Sequence, residues 1–483
     1  MTIADDIEAL VNRKRRLPIR VWAIIALTCA ALVYGSVATN TPPSGEPMLV
    51  PSTGEITEAP VTDCDKYAAS DNDPQRKETG VPLGKINPDL AVPACEAAVR
   101  QYPNSTRLSL QLGRAYQKAN YFTAAVGQYR KAAEQNYAPA QNNLGASYEN
   151  GRGVPKDDQQ AIAWYRKAAE QNYAPAQSNL GVMYQNGQGV RKDDEQAIAW
   201  YRKAAEQNYA LAQSNLGVMY QNGQGVRKDD QQAIAWYRKA AEQNYALAQN
   251  NLGVMYQYGQ GVRKDEQQAI AWYRKAADQG LALALNNLDE DAEAAVNRND
   301  FATAIRIMRP LADQGHARAQ RLLGMMYNAG WGVPNDDAEA VKWFRRAANQ
   351  GDGDAQASLG AEYRDGTGVP QDYVHAYMWF ILAAQTEEPG VNITAQNIGL
   401  LAAQRQAYNI DGTRPTELKP WQVSILKGAR AFNCPEGPGR DRCVKVYGYL
   451  INLDALALRM TPAQIAEAQK LANEWKPTTQ PPR

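Results

Sequence analysis

The sequence predicts an all-α protein in which pairs of helices stack into a solenoid, behind one N-terminal transmembrane helix. Tryptophan recurs every 36 residues, and a fixed period of this size is typical of a stacked repeat array. Neighbouring units are almost identical, since those that begin at Ala174 and Ala210 differ at only two positions. The recurring residues are Trp164, Trp200, Trp236 and Trp272, followed, after a missing position near Ile307, by Trp343 and Trp379.

The first helix of each unit is predicted from residues that share one helix face, such as Ala176, Leu180, Gly181 and Tyr184. Because glycine has no side chain, a neighbouring helix is expected to approach the backbone of Gly181 closely. Gly187 is predicted to end this helix with a left-handed cap. The close-approach glycine recurs in the next two units as Gly217 and Gly253.

The second helix of each unit begins at an acidic pair, of which Asp193 or Asp194 is the expected N-cap. Ala197, Trp200 and Tyr201 then follow at helical spacing, which predicts a packed face. Burying one indole removes about 150–250 Å² of surface from water. We therefore expect all six recurring tryptophans to be core residues at the junctions between units, rather than a ligand-stacking row.

These residues carry a resemblance to a known family. From about residue 138 to 386 the chain follows the pattern A-x-x-x-L-G-x-x-Y-x-x-G-x-G-V-x-x-D-x-x-x-A-x-x-W-Y-x-x-A-A-x-Q-G. The pattern resembles that of Sel1-like repeats, which are relatives of the tetratricopeptide repeat. The resemblance implies a right-handed α/α solenoid that serves as a scaffold for protein assembly, often in bacterial envelope or signalling complexes. It implies no catalytic residue.

The early units depart from the family pattern at their ends, where Asn replaces the usual Gly and a tyrosine follows. Asparagine is the next best residue for a left-handed helix terminus, so the turn is expected to survive. The tyrosines form a candidate binding surface that stacks on sugar rings or partner side chains. Alternatively, each tyrosine is the hydrophobic contact of its own helix end, which is the favoured interpretation. They are Tyr173, Tyr209 and Tyr245.

The N-terminus predicts a membrane anchor. Residues 1–20 are basic, and residues 21–38 carry no charge and span roughly 27 Å as a helix, close to the hydrocarbon thickness of a bilayer. No Lys or Arg follows until Lys66, so the N-terminus is predicted to be cytoplasmic and the repeats periplasmic, in a single-pass inner-membrane protein. The alternative is a cleaved signal peptide with Ser36 and Ala38 at the cleavage site.

The cysteines outside the apolar segment fall into two local pairs, Cys64 with Cys95 and Cys434 with Cys443. An oxidising compartment would bridge both pairs, and the spacing does not fit a zinc site. The predicted organisation is a basic terminus at 1–20, a transmembrane helix at 21–38, a linker at 39–63, a bridged segment with a tetratricopeptide-like hairpin at 64–137, repeats at 138–280, a degenerate repeat and junction at 281–315, repeats at 316–390, and a helical C-terminal cap with the Cys434/Cys443 loop at 391–483.

Charge and motif content disfavour an enzyme. The net charge is +1, which gives no field for nucleic acid, and the chain has only two histidines. It has no Walker loop, H-E-x-x-H or G-x-S-x-G motif. We therefore predict no catalytic, metal or cofactor site. The expected function is a non-enzymatic periplasmic scaffold that binds proteins of the envelope or of signalling complexes, and the alternative is a protein that binds cell-wall peptidoglycan.

Overall fold

The computed structural model describes residues 59–387, 449, 452–453 and 455–477. The predicted transmembrane helix at 21–38 and the Cys434/Cys443 loop lie outside these residues. None of the helices in the described part of the chain combines the length and the apolar character needed to cross a bilayer. The described residues form α-helices and one short 3-10 turn, Leu83–Lys85, with no strand among them.

The chain divides into two compact units, and the boundary lies between Leu281 and Ala282, at the start of the segment for which a junction is predicted. The helices of the first unit are α1 Asp63–Ala68, α2 Pro88–Gln101, α3 Thr106–Lys118, α4 Phe122–Glu134, α5 Ala138–Asn150, α6 Asp158–Glu170, α7 Ala174–Asn186, α8 Asp194–Glu206, α9 Ala210–Asn222, α10 Asp230–Glu242, α11 Ala246–Tyr258 and α12 Glu266–Ala277. Those of the second are α13 Ala282–Asn297, α14 Phe301–Asp313, α15 Ala317–Ala329, α16 Asp337–Asn349, α17 Gly353–Asp365, α18 Tyr373–Glu387 and α19 Pro462–Glu474.

Within each unit, each helix packs against the next along the chain, which is the arrangement of an α/α solenoid. The predicted turns are present: Gly187 ends α7 at φ +69°, and Asp193 caps α8 by accepting a hydrogen bond from the Gln196 N–H. Asn172 ends the preceding pair at φ +61°, as expected for a substitute for glycine. The handedness of the solenoid stays a prediction.

The core of each repeat is built on a tyrosine and a glycine. The Tyr201 ring is fully buried, and a Cβ added at Gly181 would lie 2.6 Å from it. The Tyr201 hydroxyl donates to Gln185 Oε1 at 2.7 Å, so the buried polar atom is satisfied. The close approach expected at Gly181, Gly217 and Gly253 is therefore made by an aromatic ring of the second helix in the same repeat. The equivalent pairs are Gly113–Tyr129, Gly145–Tyr165, Gly217–Tyr237, Gly253–Tyr273, Gly324–Phe344 and Gly360–Phe380.

The tryptophans correct one expectation. Trp343 and Trp379 are buried, but Trp164, Trp200, Trp236 and Trp272 are only half-buried. Each half-buried indole does lie at a junction, because Trp200, for example, packs against a core formed by α6 and α7. The ammonium of Lys203 covers the outer side of the Trp200 ring at 4.1 Å. The next residue along the helix, Tyr201, takes the central position that was expected for the indole.

A cluster of side-chain amides also links consecutive repeats. Gln213 is buried, and its Nε2 donates to the Ala205 carbonyl at 3.2 Å and to Asn208 Oδ1 at 3.1 Å. Gln243 Nε2 donates in turn to Asn208 Oδ1 at 3.1 Å and to Gln213 Oε1 at 2.7 Å. The asparagine therefore does more than adopt positive φ, since a glycine there would offer no acceptor. The same cluster recurs as Asn172–Gln177–Gln207 and Asn244–Gln249–Gln279.

The last described helix closes the second unit. Thr461 and Gln464 form a capping box at the start of α19, which packs against α18. Trp475, just beyond α19, meets Trp379 edge-on with ring centroids 6.2 Å apart. This contact helps to bury Trp379 and explains why it differs from the half-buried tryptophans of the first unit.

Candidate interaction surface

The candidate tyrosines occupy one equivalent position in successive repeats. Tyr173, Tyr209 and Tyr245 are the N-cap residues of α7, α9 and α11, with φ between −84° and −82° and ψ of 107°. Each ring is half-buried against the core of its own repeat, as the interpretation of a local hydrophobic contact requires. The backbone N–H of Tyr173 also closes the preceding turn by donating to the Ala168 carbonyl at 3.2 Å.

These tyrosines nevertheless form a row. Burial raises the pKa of Tyr173, and the neighbouring Tyr209 hydroxyl raises it further. Burial raises the pKa of Tyr245 to about 12, again with a contribution from Tyr209. The three residues occupy the same N-cap position in successive repeats, so they lie along one side of the first unit. Within the described residues none of the three hydroxyls has a hydrogen-bond partner.

The row continues to Tyr137, the N-cap residue of α5, whose φ of −87° and ψ of 105° match the other three. Its hydroxyl has a partner, because it donates a hydrogen bond to the carboxylate of Asp73. Asp73 is buried and belongs to residues 59–87, which we call the strap. The strap crosses α3 and is tied to α2 by the disulfide between Cys64 and Cys95, the pairing that the sequence predicted.

Two buried arginines of α3 hold the strap. Arg107 pairs with Asp65 and donates to the carbonyls of Ala59 at 2.7 Å and Pro60 at 3.0 Å. Arg114 donates to the strap carbonyls of Ala68 at 2.8 Å and Val81 at 2.6 Å. As a result, every residue from 107 to 116 is buried. Sequence reasoning missed both arginines, although two cations seven residues apart on a helix with three leucines were a usable signal.

The electrostatics around Asp73 follow from its burial. Burial raises the pKa of the Asp73 carboxyl, while the hydrogen bonds from Tyr137 and from the Gln75 backbone lower it, as does the charge of Arg114. Burial also lowers the pKa of the Arg114 guanidinium, which nearby tyrosines and aspartates partly restore. The Tyr137 end of the row thus holds a carboxylate, and an arginine lies close to it.

The candidate metal-ligating side chains of the described ranges are dispersed. No group of His, Cys, Asp and Glu side chains there is arranged to hold a metal ion. His375 Nδ1 lies 2.7 Å from Asp372 Oδ2, the side chain that caps α18, and His316 is an N-cap residue whose pKa is lowered by burial. Both histidines therefore belong to helix ends of the repeats.

Comparison with known proteins identifies the repeats. The Sel1 repeat model matches six segments of the chain, at residues 138–173, 174–209, 210–245, 246–281, 317–352 and 353–385. The model matches no part of the segment between 281 and 317, and the degenerate repeat at 281–315 stays a prediction.

Solved structures and one curated protein are similar to this chain. A Sel1 repeat protein from Oxalobacter formigenes is 30% identical over 57% of this chain and 96% of its own, with a TM-score of 0.34. A protective antigen of uropathogenic Escherichia coli strains that displays an SLR fold is 27% identical over 83% of this chain and 89% of its own, with a TM-score of 0.37. DAP3-binding cell death enhancer 1 of Rattus norvegicus is 37% identical over 92 residues, which is 18% of this chain and 18% of that protein.

Proposed function

Since the chain belongs to the Sel1 repeat family, we propose that it is a non-enzymatic scaffold that binds proteins of the cell envelope or of signalling complexes. Proteins of this family mediate protein–protein interactions. The observation that carries the proposal is the row of three half-buried tyrosines with unpartnered hydroxyls, repeated on almost identical units of the described chain. A surface that recurs in this way suits multivalent binding better than it suits a single reactive centre.

The proposed location is the periplasmic side of an inner membrane. It rests on the charge-free segment 21–38 with its basic flank, which lies outside the described residues. The disulfide between Cys64 and Cys95 is in keeping with an oxidising compartment. A topology assay tests this location with reporters fused after residue 20 and after residue 387, which are predicted to lie on opposite sides of the membrane. Reporter activity that places both positions on the same side would overturn it.

Binding of proteins is favoured over binding of peptidoglycan. Stacking on a sugar needs an open aromatic face, whereas the rings of Tyr173, Tyr209 and Tyr245 pack against the cores of their own repeats. None of the three hydroxyls has a hydrogen-bond partner among the described residues, which favours a hydrogen bond to a partner protein. The proposal therefore assigns the row to a protein.

Photocrosslinking in intact cells tests the proposal. A photoreactive phenylalanine derivative replaces Tyr209 in the full-length chain, and the matched control carries it at Ala199, an exposed position on α8. We expect one or a few proteins to be crosslinked from position 209 and not from position 199. Failure to crosslink any protein above background from position 209, or equal capture from both positions, would count against a protein-binding row.

A further inference from the structure

The tyrosine row consists of four equivalent positions, of which the chain itself fills one. Tyr137, Tyr173, Tyr209 and Tyr245 each follow an asparagine in the left-handed conformation and share nearly the same backbone angles. The four side chains therefore leave the backbone in the same way, although Tyr137 is buried and the other three are half-buried. At the first position the Asp73 carboxylate of the strap accepts the hydrogen bond.

The other three positions resemble the first without its occupant. Their rings are half-buried, so each hydroxyl lies at the edge of an apolar surface where a hydrogen bond is stronger than in bulk water. Burial raises the pKa of all three, so each hydroxyl keeps its proton at neutral pH and remains a donor. A carboxylate accepts a charge-assisted hydrogen bond from a phenol, which is stronger than the bond to a neutral acceptor.

We propose that Tyr173, Tyr209 and Tyr245 bind an acidic segment of a partner protein, with each hydroxyl donating to one Asp or Glu carboxylate. The inference rests on the proposed function and names the chemistry of the partner. The strap supplies the precedent, because Asp73 makes this contact within the chain. The charges of Asp73 and Arg114 both act on Tyr173, and that of Asp73 is the larger, so this end of the row gains no net positive potential.

The stacking of the repeats sets a spacing for the partner. The first helices of neighbouring repeats also contact each other through side chains, since Asn179 Nδ2 of α7 donates to Asn142 Oδ1 of α5 at 2.9 Å. Helices in contact lie about 8–10 Å apart, and an extended chain advances about 3.3 Å per residue. Neighbouring tyrosine positions therefore correspond to about three residues of an extended ligand. A segment with an acidic residue at every third position would meet all three hydroxyls, whereas contiguous acids would meet one at a time.

The test uses the full-length chain and a labelled peptide with Asp at every third position and Ser and Ala between. The variant is the triple substitution Tyr173→Phe, Tyr209→Phe and Tyr245→Phe, which keeps the rings and removes the hydroxyls. The matched control replaces by Phe three tyrosines of the same helices, whose hydroxyls accept from Arg166, Arg202 and Arg238 instead. They are Tyr184, Tyr220 and Tyr256.

Loss of one hydrogen bond to a charged group weakens binding by about tenfold or more, so the triple variant should bind the peptide about a thousandfold more weakly if the three contacts are independent. The control variant should bind the Asp peptide with the affinity of the parent protein. The parent should bind a peptide with Asn in place of Asp as weakly as the triple variant binds the Asp peptide. Circular dichroism confirms that both variants fold.

Three results would overturn the inference. They are no saturable binding by the parent, equal binding by the triple variant, and equal binding of the Asn peptide. Self-association that the triple variant loses would assign the row to a second copy of the chain instead. The photoreactive residue at position 209 could still crosslink a protein in cells to which the triple variant also binds. In that case the scaffold function stands, and the proposed contact between the hydroxyls and carboxylates is wrong.

Discussion

The first hairpin and the repeats that follow it use one module in two ways. In both, a glycine of the first helix receives an aromatic ring of the second, as Gly113 receives Tyr129 and Gly181 receives Tyr201. In the first hairpin, however, α3 is buried on all sides because the strap covers it. The first helices of the later repeats leave side chains on that side half-buried.

The difference lies in a few polar residues rather than in the framework. Arg114 follows Gly113, and Val182 follows Gly181 at the same place in its helix. The arginine binds backbone carbonyls of the strap, whereas Val182 packs on the apolar core that α8 and α9 form. The residue after the glycine thus decides whether a helical pair ends the array by binding the strap, as at Arg114, or joins the neighbouring pair, as at Val182. Four variants break or sharpen this comparison, from the largest expected effect to the smallest.

Arg107→Ala should have the largest effect, because it leaves the buried carboxylate of Asp65 without its cation. Breaking a buried ion pair by removing one partner costs about 3–5 kcal/mol. Urea unfolding followed by circular dichroism measures the loss. Arg166→Ala, which removes an exposed arginine bonded to the Tyr184 hydroxyl, should cost less than about 1 kcal/mol. Similar costs for the two variants would mean that the strap adds no stability.

Tyr129→Ala and Tyr201→Ala should be equally damaging, since both rings fill the core of their hairpin. Large aromatic-to-alanine changes in a core cost about 3–5 kcal/mol. Trp200→Ala, at a half-buried ring, should cost about half as much on the same area argument. Thermal unfolding of the three variants ranks them. A larger loss for Trp200 than for Tyr201 would restore the indole as the central residue.

Gly113→Ala and Gly181→Ala test whether the two regions share their close approach. The added Cβ would lie 2.4 Å from the Tyr129 ring and 2.6 Å from the Tyr201 ring, so both variants should lose about 1–2 kcal/mol after the gain in helix propensity. Gly127→Ala in α4 is the control, because its Cβ would meet no atom within 4 Å. It should stabilise the protein by up to about 1 kcal/mol. Stabilisation by all three would contradict tight packing at the glycines.

Asp73→Asn should have the smallest effect and shows itself through pH. Because burial raises the pKa of this carboxyl in the folded state, its contribution to stability is present below its unfolded pKa and is lost as pH rises through the folded value. The variant should therefore lose less stability than the parent between acidic and neutral pH. The urea midpoints of both proteins across that range measure the difference. If the midpoints of the two proteins change in parallel with pH, burial does not raise the pKa of Asp73.

The repeats and their turns could be predicted from the sequence because their signals are local. Gly187, Asn172 and Asp193 each act within a few residues of chain, and periodicity exposes them. Ranking Trp200 against Tyr201 was beyond the pattern, since both positions fall on the packed face of a helix. Only the position of Gly181 on the neighbouring helix selects the tyrosine.

The occupied end of the tyrosine row could not be predicted for a related reason. Asp65 and Arg107 are 42 residues apart, and Asp73 and Tyr137 are 64 apart, with no periodic pattern to connect them. The amide clusters could be predicted only in part. Asn208 was expected for its backbone conformation, whereas its service as acceptor to Gln213 and Gln243 needs the fold.

The amide clusters join only adjacent repeats, and this has a consequence for how the gene can change. Removal of residues 174–209 would place Ala210 after Tyr173, and Asn172 would then meet Gln213 and Gln243 as it now meets Gln177 and Gln207. Recombination between these nearly identical stretches of DNA would therefore yield a chain with one repeat fewer or one more, in which each amide cluster between neighbouring repeats is of a kind that the present chain already forms. Each such event would remove or add one tyrosine of the row. The number of positions in the row can therefore change by whole repeats without any new kind of contact between repeats.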